Sequence, residues 1–486
     1  MNIFHYMIKY IIFLIYWFLI FRITIQILIK RRSISTSTSW ILTIYFVPVF
    51  GFLSWFFFGE LYLEEQHKKI ANKIWSTSNI WLSKLKSCKD IFQKHNSVVA
   101  TAVFQLCKNR QGLLGIKSNN LKLLTNTQEI MTILIRDINL AQKNIEMVFY
   151  IWKPGGIADD VAMALIASAK RGIYCRLMLD SAGSSEFFRS PWVKIMRKSG
   201  IEVVESLKIS LLCLISRRID IRQHRKIVLI DNYITYSGSM NLVDPCLFKQ
   251  YLGIGQWVDL VTRVEGPIAI AIGIIYSCDW EIETGRKILP NLPDIKIEKH
   301  QFYQNTSIQV IASGPGFPEN VIQQVLLTAI YSARNEITIT TPYLVPSDDL
   351  LQAICIASQR GVTVNIIIPL YYDSILVKWA SRVFFTELLD AGVKIYQFKN
   401  GVLHSKSILI DQELSLIGTV NLDMRSLWLN FEITLVIDDK NIGKKLDYIQ
   451  HQYISNSKLL DKKHWIMRSL WKKILEKIFY FLSPLL

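Results

Sequence analysis

The feature that most constrains this chain is a gapless internal match. QHRKIVLIDNYITYSGSMN begins at Gln223 and LHSKSILIDQELSLIGTVN at Leu403, and His224, Lys226, Asp231, Gly238 and Asn241 each stand 180 positions before His404, Lys406, Asp411, Gly418 and Asn421. The surrounding text repeats as well. Helical periodicity over residues 134–143 and 159–172 alternates with apolar strand-like runs over 144–152, 173–180 and 226–231, and the second half follows with 325–334, 335–345, 348–361, 362–369 and 407–411. Short apolar runs between amphipathic helices predict largely buried strands. The expectation is therefore an α/β fold of two sandwich lobes related by a pseudo-twofold axis, joined near residues 290–305, where prolines and charges collect.

A second feature stands apart from the repeat. Residues 10–29 and 40–58 are apolar runs near the ~20 residues that cross a bilayer, and 51% of the 486 residues are hydrophobic. Both runs are read as membrane-spanning helices, giving a two-helix anchor over residues 1–60. Arg22 is an unusual charge within the first. Lys30, Arg31 and Arg32 separate the runs while Lys9, Lys68, Lys69 and Lys73 flank their outer ends, so basic residues do not orient such a pair. Residues 61–120 read as a mostly helical connector. The net charge of +17 calls for an anionic partner, nucleic acid or acidic lipid. The seven cysteines, Cys88, Cys107, Cys175, Cys213, Cys246, Cys278 and Cys355, show no metal-binding spacing and read as free thiols.

Side chains two apart on a strand face the same way, so each His–Lys pair presents an imidazole beside an ammonium. Two such pairs converging across a pseudo-twofold axis make a site for a phosphodiester. The lysines neutralise phosphoryl oxygens, one imidazole attacks phosphorus and the other protonates the departing alkoxide. Each ring needs a partner on its second nitrogen, and Asp259 in Trp257-Val258-Asp259 and Glu432 in Asn430-Phe431-Glu432 are the candidates. Asp231 and Asp411 lie about 23 Å along an extended strand from their own histidines, and they either act directly in catalysis or cap a hairpin. Asn241, Asn421, Ser239 and Thr419 offer neutral donors for phosphate oxygens. Gly238 and Gly418 are read as turn residues, and Asp423 and Arg425 as contacts to polar substrate or a surface ion pair.

The twin HxKxxxxD signature, His224-Lys226-Asp231 and His404-Lys406-Asp411, resembles that of the phospholipase D superfamily. Together with MVFYIWKPGG, LMLDSAGS, GPGFPE, TTPYLVPSDDLL and GTVNLDMRSLWLNFE, it makes nearly the whole chain similar to the cardiolipin synthases of enterobacterial type within that superfamily. The resemblance implies phospholipase D-like lobes over residues 121–298 and 299–486. It implies transfer of a phosphatidyl group between two phosphatidylglycerol molecules, yielding cardiolipin and glycerol through a phosphohistidine, with all six signature residues catalytic and no metal or other cofactor. His224 would be the nucleophile and His404 the acid and base, an order that the near-symmetry leaves open. The implied partners are phosphatidylglycerol and anionic membrane lipid, with no nucleic acid and no obligate protein, and the implied location is the bacterial inner membrane as a multi-pass protein. Lobe 1 has Val243-Asp244 where lobe 2 has Asp423-Met424, so the half-sites are expected to do unequal jobs.

A membrane-anchored hydrolase of phospholipase D type, another phosphatidyltransferase, a nuclease and a catalytically inert lipid scaffold use the same residue types. Transfer and hydrolysis differ in water exclusion, which residue identity does not report. At the C-terminus, residues 470–482 put Leu470, Trp471, Ile474, Leu475, Ile478, Phe479 and Leu482 on one helical face and Lys472, Lys473, Glu476 and Lys477 on the other. That helix either lies in a membrane interface or docks on the second lobe. Residues 206–222, apolar and then basic, are either a flap over the lipid headgroup or a buried strand.

Overall fold

A computed structural model describes residues 2–29, 34–58, 96–208, 220–248, 250, 253–288 and 306–481. The expected joint at 290–305, Cys88, Cys213 and most of the 206–222 segment lie outside these residues. The chain divides into two units, one holding residues 1–66 with 209–220 and the other the remainder.

In the N-terminal unit, α1 (Asn2–Ile29) contains a stretch, His5–Ile29, long and apolar enough to cross a membrane. The second expected crossing is corrected. Residues 40–58 do not form one helix but parts of α2 (Ile34–Phe46) and α3 (Pro48–Phe58). Proline has no N–H to donate and disfavours helical geometry at the residue before it, which breaks the helix at Val47. The chain then doubles back. The rings of Trp40 and Trp55 meet edge to face with centroids 5.1 Å apart, where a straight helix would separate them by about 22 Å. Gly51 passes so close to the preceding helix that a Cβ would lie 2.6 Å from Thr43 O and from Ile44 Cα. Ile44 and Trp55 bury themselves with Ile20, Ile23 and Ile27 of α1. At roughly 20 and 16 Å, α2 and α3 are each shorter than a ~30 Å hydrocarbon core.

The larger unit is built on one 15-stranded sheet. Lobe 1 supplies β1 (Ile116–Leu124), β2 (Asn144–Phe149), β3 (Tyr174–Asp180), β4 (Glu202–Ser206), β5 (Ile227–Ile230), β6 (Ile234–Gly238) and β8 (Val261–Glu265), with the short β7 (Trp257–Val258) outside the sheet. Lobe 2 supplies β9 (Thr306–Ser313), β10 (Glu336–Thr340), β11 (Thr363–Pro369), β12 (Lys394–Phe398), β14 (Ser407–Ile410), β15 (Leu414–Gly418), β16 (Glu432–Asp438) and β17 (Ser457–Leu459), with β13 (Val402–Leu403) outside. Outward from the centre, lobe 1 runs β1-β8-β6-β5-β2-β3-β4 and lobe 2 runs β9-β16-β15-β14-β10-β11-β12-β17. Apart from the added edge strand β17, the orders are the same. The lobes join where the equivalent strands β1 and β9 pair antiparallel, Ile116 opposite Ile308, as a twofold relation requires.

The longer helices of this unit are α4 (Val98–Gln111), α5 (Thr127–Leu140), α6 (Ile157–Lys170), α7 (Ile268–Thr284), α8 (Val321–Ser332) and α9 (Asp348–Gln359). They are followed by α10 (Ile375–Ser381), α11 (Lys440–Ser455) and α12 (Leu470–Phe481). The repeated text folds as α5-β2-α6-β3 and α8-β10-α9-β11, each with a parallel strand pair. Part of the expected connector belongs to the fold. Val99, Val103, Phe104 and Cys107 of α4 are buried in the core of lobe 2 with Val321, Val325 and Ile330 of α8, and β1 begins at Ile116. A third apolar cluster under α7 and α11, including Leu121, Val264, Ile308 and Leu435, spans the joint and makes the two lobes one body. Cys107, Cys175, Cys246, Cys278 and Cys355 form no disulfide.

Candidate active site

The segment before each HxK motif pairs with the other lobe. β13 runs parallel to β7, Leu403 opposite Val258, and a matching bridge joins Gln223 to Phe431. The backbone N–H of His404 accordingly donates to Val258 O at 2.9 Å, and that of His224 to Phe431 O at 3.0 Å. Asp259 and Glu432 each follow the paired residue directly, so each reaches across the joint. His404 Nδ1–H donates to Asp259 Oδ1 at 2.7 Å, and His224 Nδ1–H to Glu432 at 2.8 Å from Oε1 and 2.9 Å from Oε2. The pairs are therefore crossed, lobe 1 holding the imidazole of lobe 2 and the reverse. With the proton fixed on Nδ1, Nε2 of each ring is the basic, nucleophilic nitrogen.

All four ring and carboxylate groups are buried, as are Lys226 and Lys406. Each lysine Nζ donates to the carbonyl of its own histidine, at 2.7 Å for Lys226 and 2.6 Å for Lys406, and retains two further N–H donors for an anion. Burial, followed by the charges of Lys226, Lys406 and His404, holds His224 well below the ordinary imidazole range. Burial and then Lys406 bring His404 down to about 4. Both rings are thus neutral at pH 7. Burial lowers Lys406 to about 8 and Lys226 well below the usual ammonium range, against the pull of the buried carboxylates. Burial raises Glu432 to about 7. It opposes ionisation of Asp259 too, but there His404, Lys406 and the Ser239 hydroxyl prevail and keep the carboxyl low.

The hydroxyls expected on phosphate are engaged elsewhere, which corrects their assignment. Ser239 Oγ–H donates to Asp259 Oδ1 at 2.6 Å while its oxygen accepts from Leu260 N–H at 2.9 Å. Thr419 does the same, donating to Glu432 Oε2 and accepting from Ile433 N–H at 3.0 Å. Each fixes the carboxylate that holds the other lobe's imidazole. Asn241 accepts from Ile151 N–H at 3.1 Å through its carbonyl oxygen, so its amide NH₂ is the end that can donate to phosphate. Asn421 shares a hydrogen bond with Asp423, where lobe 1 has Val243. Asp423 is buried and caps the short helix Met424–Trp428 by accepting from Ser426 N–H at 2.7 Å, so it is no surface ion pair.

Asp231 and Asp411 are also corrected as catalytic candidates. Each begins a type I′ turn, Asp231 and Asn232 at φ 55° and 53° and Asp411 and Gln412 at 52° and 55°, at the end of β5 or β14 away from the histidine. The Asp231 carboxylate accepts from the backbone N–H groups of Gln142, Lys143 and Asn144, and Asp411 from those of Arg334, Asn335 and Glu336. These bonds tie the hairpin to the helix-to-strand turn behind it. Gly238 and Gly418 are not turn residues: a Cβ there would lie 2.3 Å from Leu260 O and 2.2 Å from Ile433 O, so they let the strand bearing the carboxylate approach.

Three side chains escape a reading of the motifs alone. Trp257 stacks on the His404 ring, centroids 4.1 Å apart at 24°, while Tyr150 meets His224 edge-on at 5.2 Å and lies 5.4 Å below the Lys226 ammonium. Asn430 occupies the position equivalent to Trp257, so the two rings sit in different surroundings. Arg225, between His224 and Lys226, is fully buried. It pairs with Asp279 and donates to Glu432 O and Ser313 O of the other lobe at 3.0 and 3.1 Å.

The family described as "Cardiolipin synthase, PLD-like domain" matches residues 134–250 and 326–453, one stretch per lobe. The chain belongs to the PLD-like cardiolipin synthase family. A second family, "Phospholipase_D-nuclease N-terminal", matches residues 11–60. Relatives within the cardiolipin synthase family include "Cardiolipin synthase A" of Buchnera aphidicola subsp. Schizaphis graminum, 73% identical over 486 residues and covering 100% of both chains. The protein of the same description from Escherichia fergusonii is 58% identical with the same coverage. Among solved structures, phosphatidylserine synthase from Haemophilus influenzae Rd KW20 aligns at TM-score 0.58 over 79% of this chain and 100% of its own, at 14% identity, a likeness of fold.

Proposed function

We propose that this cardiolipin synthase family member transfers a phosphatidyl group from one phosphatidylglycerol to the terminal hydroxyl of another. Nε2 of His224 attacks phosphorus, forming a P–N bond as the P–O bond to glycerol breaks; His404, neutral in the empty site, takes up a proton when the anionic phosphodiester binds beside it and gives that proton to the departing glycerol oxygen. The hydroxyl of the second phosphatidylglycerol then loses its proton to His404 and attacks phosphorus, breaking the P–N bond and releasing cardiolipin. Lys226, Lys406 and the Asn241 and Asn421 amides hold the phosphoryl oxygens as charge builds. The observation that carries the reading is the crossed arrangement, two neutral imidazoles in one buried, lysine-lined site with carboxylates fixing both tautomers. Anionic Asp259 favours His404 as the ring that becomes imidazolium, which leaves His224 as nucleophile.

The protein is held at the membrane, and the inner membrane suits its substrate. A single crossing by α1 with a hairpin that enters and leaves through one face puts Lys30, Arg31 and Arg32 on the same side as Lys68, Lys69 and Lys73. The positive-inside rule makes that side cytoplasmic. The experiment supplies full-length protein with labelled phosphatidylglycerol in micelles containing a chelator. Cardiolipin and free glycerol in equal amounts support the proposal, phosphatidic acid alone would favour a hydrolase, and His224→Ala should abolish turnover and the acid-labile lipid adduct.

A further inference from the structure

The C-terminal helix α12 resolves the alternative left by its sequence in an unexpected way: it docks by one face and leaves its apolar arc uncovered. Glu476 is 2% exposed and holds Arg382 at 3.0 Å and Arg468 at 2.9 Å, Phe479 stacks on Trp379 of α10 at 6.3 Å, and Tyr480 packs edge-on to Phe384. Leu470, Trp471, Ile474, Leu475 and Ile478 occupy the free arc, with Leu470 75% and Trp471 76% exposed. At 100° per residue Lys477 borders this arc beside Leu470, and Lys472 lies on the other side, just past the docked Phe479. Both lysines are exposed. The one acid in the helix is buried among arginines, so the free surface carries only positive charge. Met467, just before the helix, and Ile375, opening α10, are exposed as well, at 73% and 72%.

The position of α10 ties this surface to the chemistry. Two residues before α10, Asp373 accepts from the Tyr343 hydroxyl at 3.1 Å and acts electrostatically on Lys406. A phospholipid that brings its headgroup phosphate to a buried site must keep its acyl chains in the leaflet, which requires the rim of the site to sit on that leaflet. An apolar arc with basic margins fits a monolayer of anionic lipid, the side chains entering the acyl boundary and the ammonium groups meeting phosphates.

We propose that α12, braced by α10, is a second membrane contact that seats the rim of the active site on an anionic leaflet. The inference rests on the reading of the substrate as phosphatidylglycerol, but its test does not need turnover. Benzophenone-bearing residues placed at Trp471, Ile474 and Ile478, and at Asp461 as an off-face control, are photolysed in the full-length protein in nanodiscs of phosphatidylglycerol with phosphatidylcholine, and adducts are weighed. Lipid adducts at the three arc positions and none at Asp461 are expected. Adducts to a second copy of the chain, or none at all, overturn the proposal. The companion variant, Trp471→Glu with Ile474→Glu, should raise the apparent KM for phosphatidylglycerol in vesicles roughly tenfold while leaving kcat on monomeric short-chain phosphatidylglycerol unchanged. An equal loss on both substrates overturns it. If the protein shows no turnover at all, the adduct pattern still decides the contact, and only the proposed reaction falls.

Discussion

Replacing Asp231 with alanine separates a structural from a chemical role for the last residue of the HxKxxxxD signature. The carboxylate accepts three backbone N–H groups, from Lys143 at 2.6 Å, Gln142 at 2.9 Å and Asn144 at 3.1 Å. Gln142 and Lys143 are exposed, so water replaces much of what is lost there, and the three bonds together contribute about 2 kcal/mol. Asp231 also holds φ 55°, where alanine adds a backbone penalty of about 1 kcal/mol. A loss near 3 kcal/mol in a unit of this size lowers the melting temperature by about 4 °C. Asp231→Asn keeps an acceptor oxygen and tolerates the left-handed turn, so it should recover about half. The assay is thermal unfolding of the full chain in detergent beside initial rates at 20 °C, where both variants should turn over within about threefold of the parent. A ~10³-fold fall in kcat with unchanged melting, the size expected for loss of a reacting acid or base, would refute the reasoning.

Glu432→Gln and Asp259→Asn should each lower kcat by about 10²–10⁴, since either removes the charge that stabilises an imidazolium and permits the wrong tautomer. Single-turnover product formation checks this, and full activity in either variant would break the crossed assignment. Activity should fall as pH rises through about 8, where Lys406 loses its proton, and Lys406→Arg should move that limb up by more than a unit in a kcat/KM profile. Arg225→Met leaves the buried Asp279 carboxylate without its cation, holding only the Gln223 amide at 3.2 Å, and should destabilise the larger unit by about 3 kcal/mol, read by denaturant unfolding. For the anchor, cysteines placed at Asn2 and Val98 are probed with an impermeant maleimide on intact cells and followed peptide by peptide. Asn2→Cys alone should react, and identical behaviour at both positions would restore two crossings.

The repeat made the duplicated α/β architecture legible because seven identities at one spacing cannot arise from unrelated loops, and buried strands such as IVLI of β5 and SILI of β14 write themselves as apolar runs. Residue type also marked Asp259 and Glu432 as carboxylates in apolar strands. Their crossing was hidden, because which lobe a strand end pairs with depends on contacts between residues some 145 to 208 positions apart. Ser239 and Thr419 misled for a related reason: a hydroxyl beside a phosphate site and one beside a carboxylate look alike in one dimension. Residues 40–58 read as a span because hydropathy sums composition and is blind to what Pro48 does to direction.

The reciprocal bracing of His224 by Glu432 and of His404 by Asp259 binds the history of the two halves together. A single lobe with this plan would leave its reactive ring unsupported unless a second copy supplied the brace. Neither half is at liberty to decay into a mere scaffold, because losing one brace disables the chemistry of its sibling.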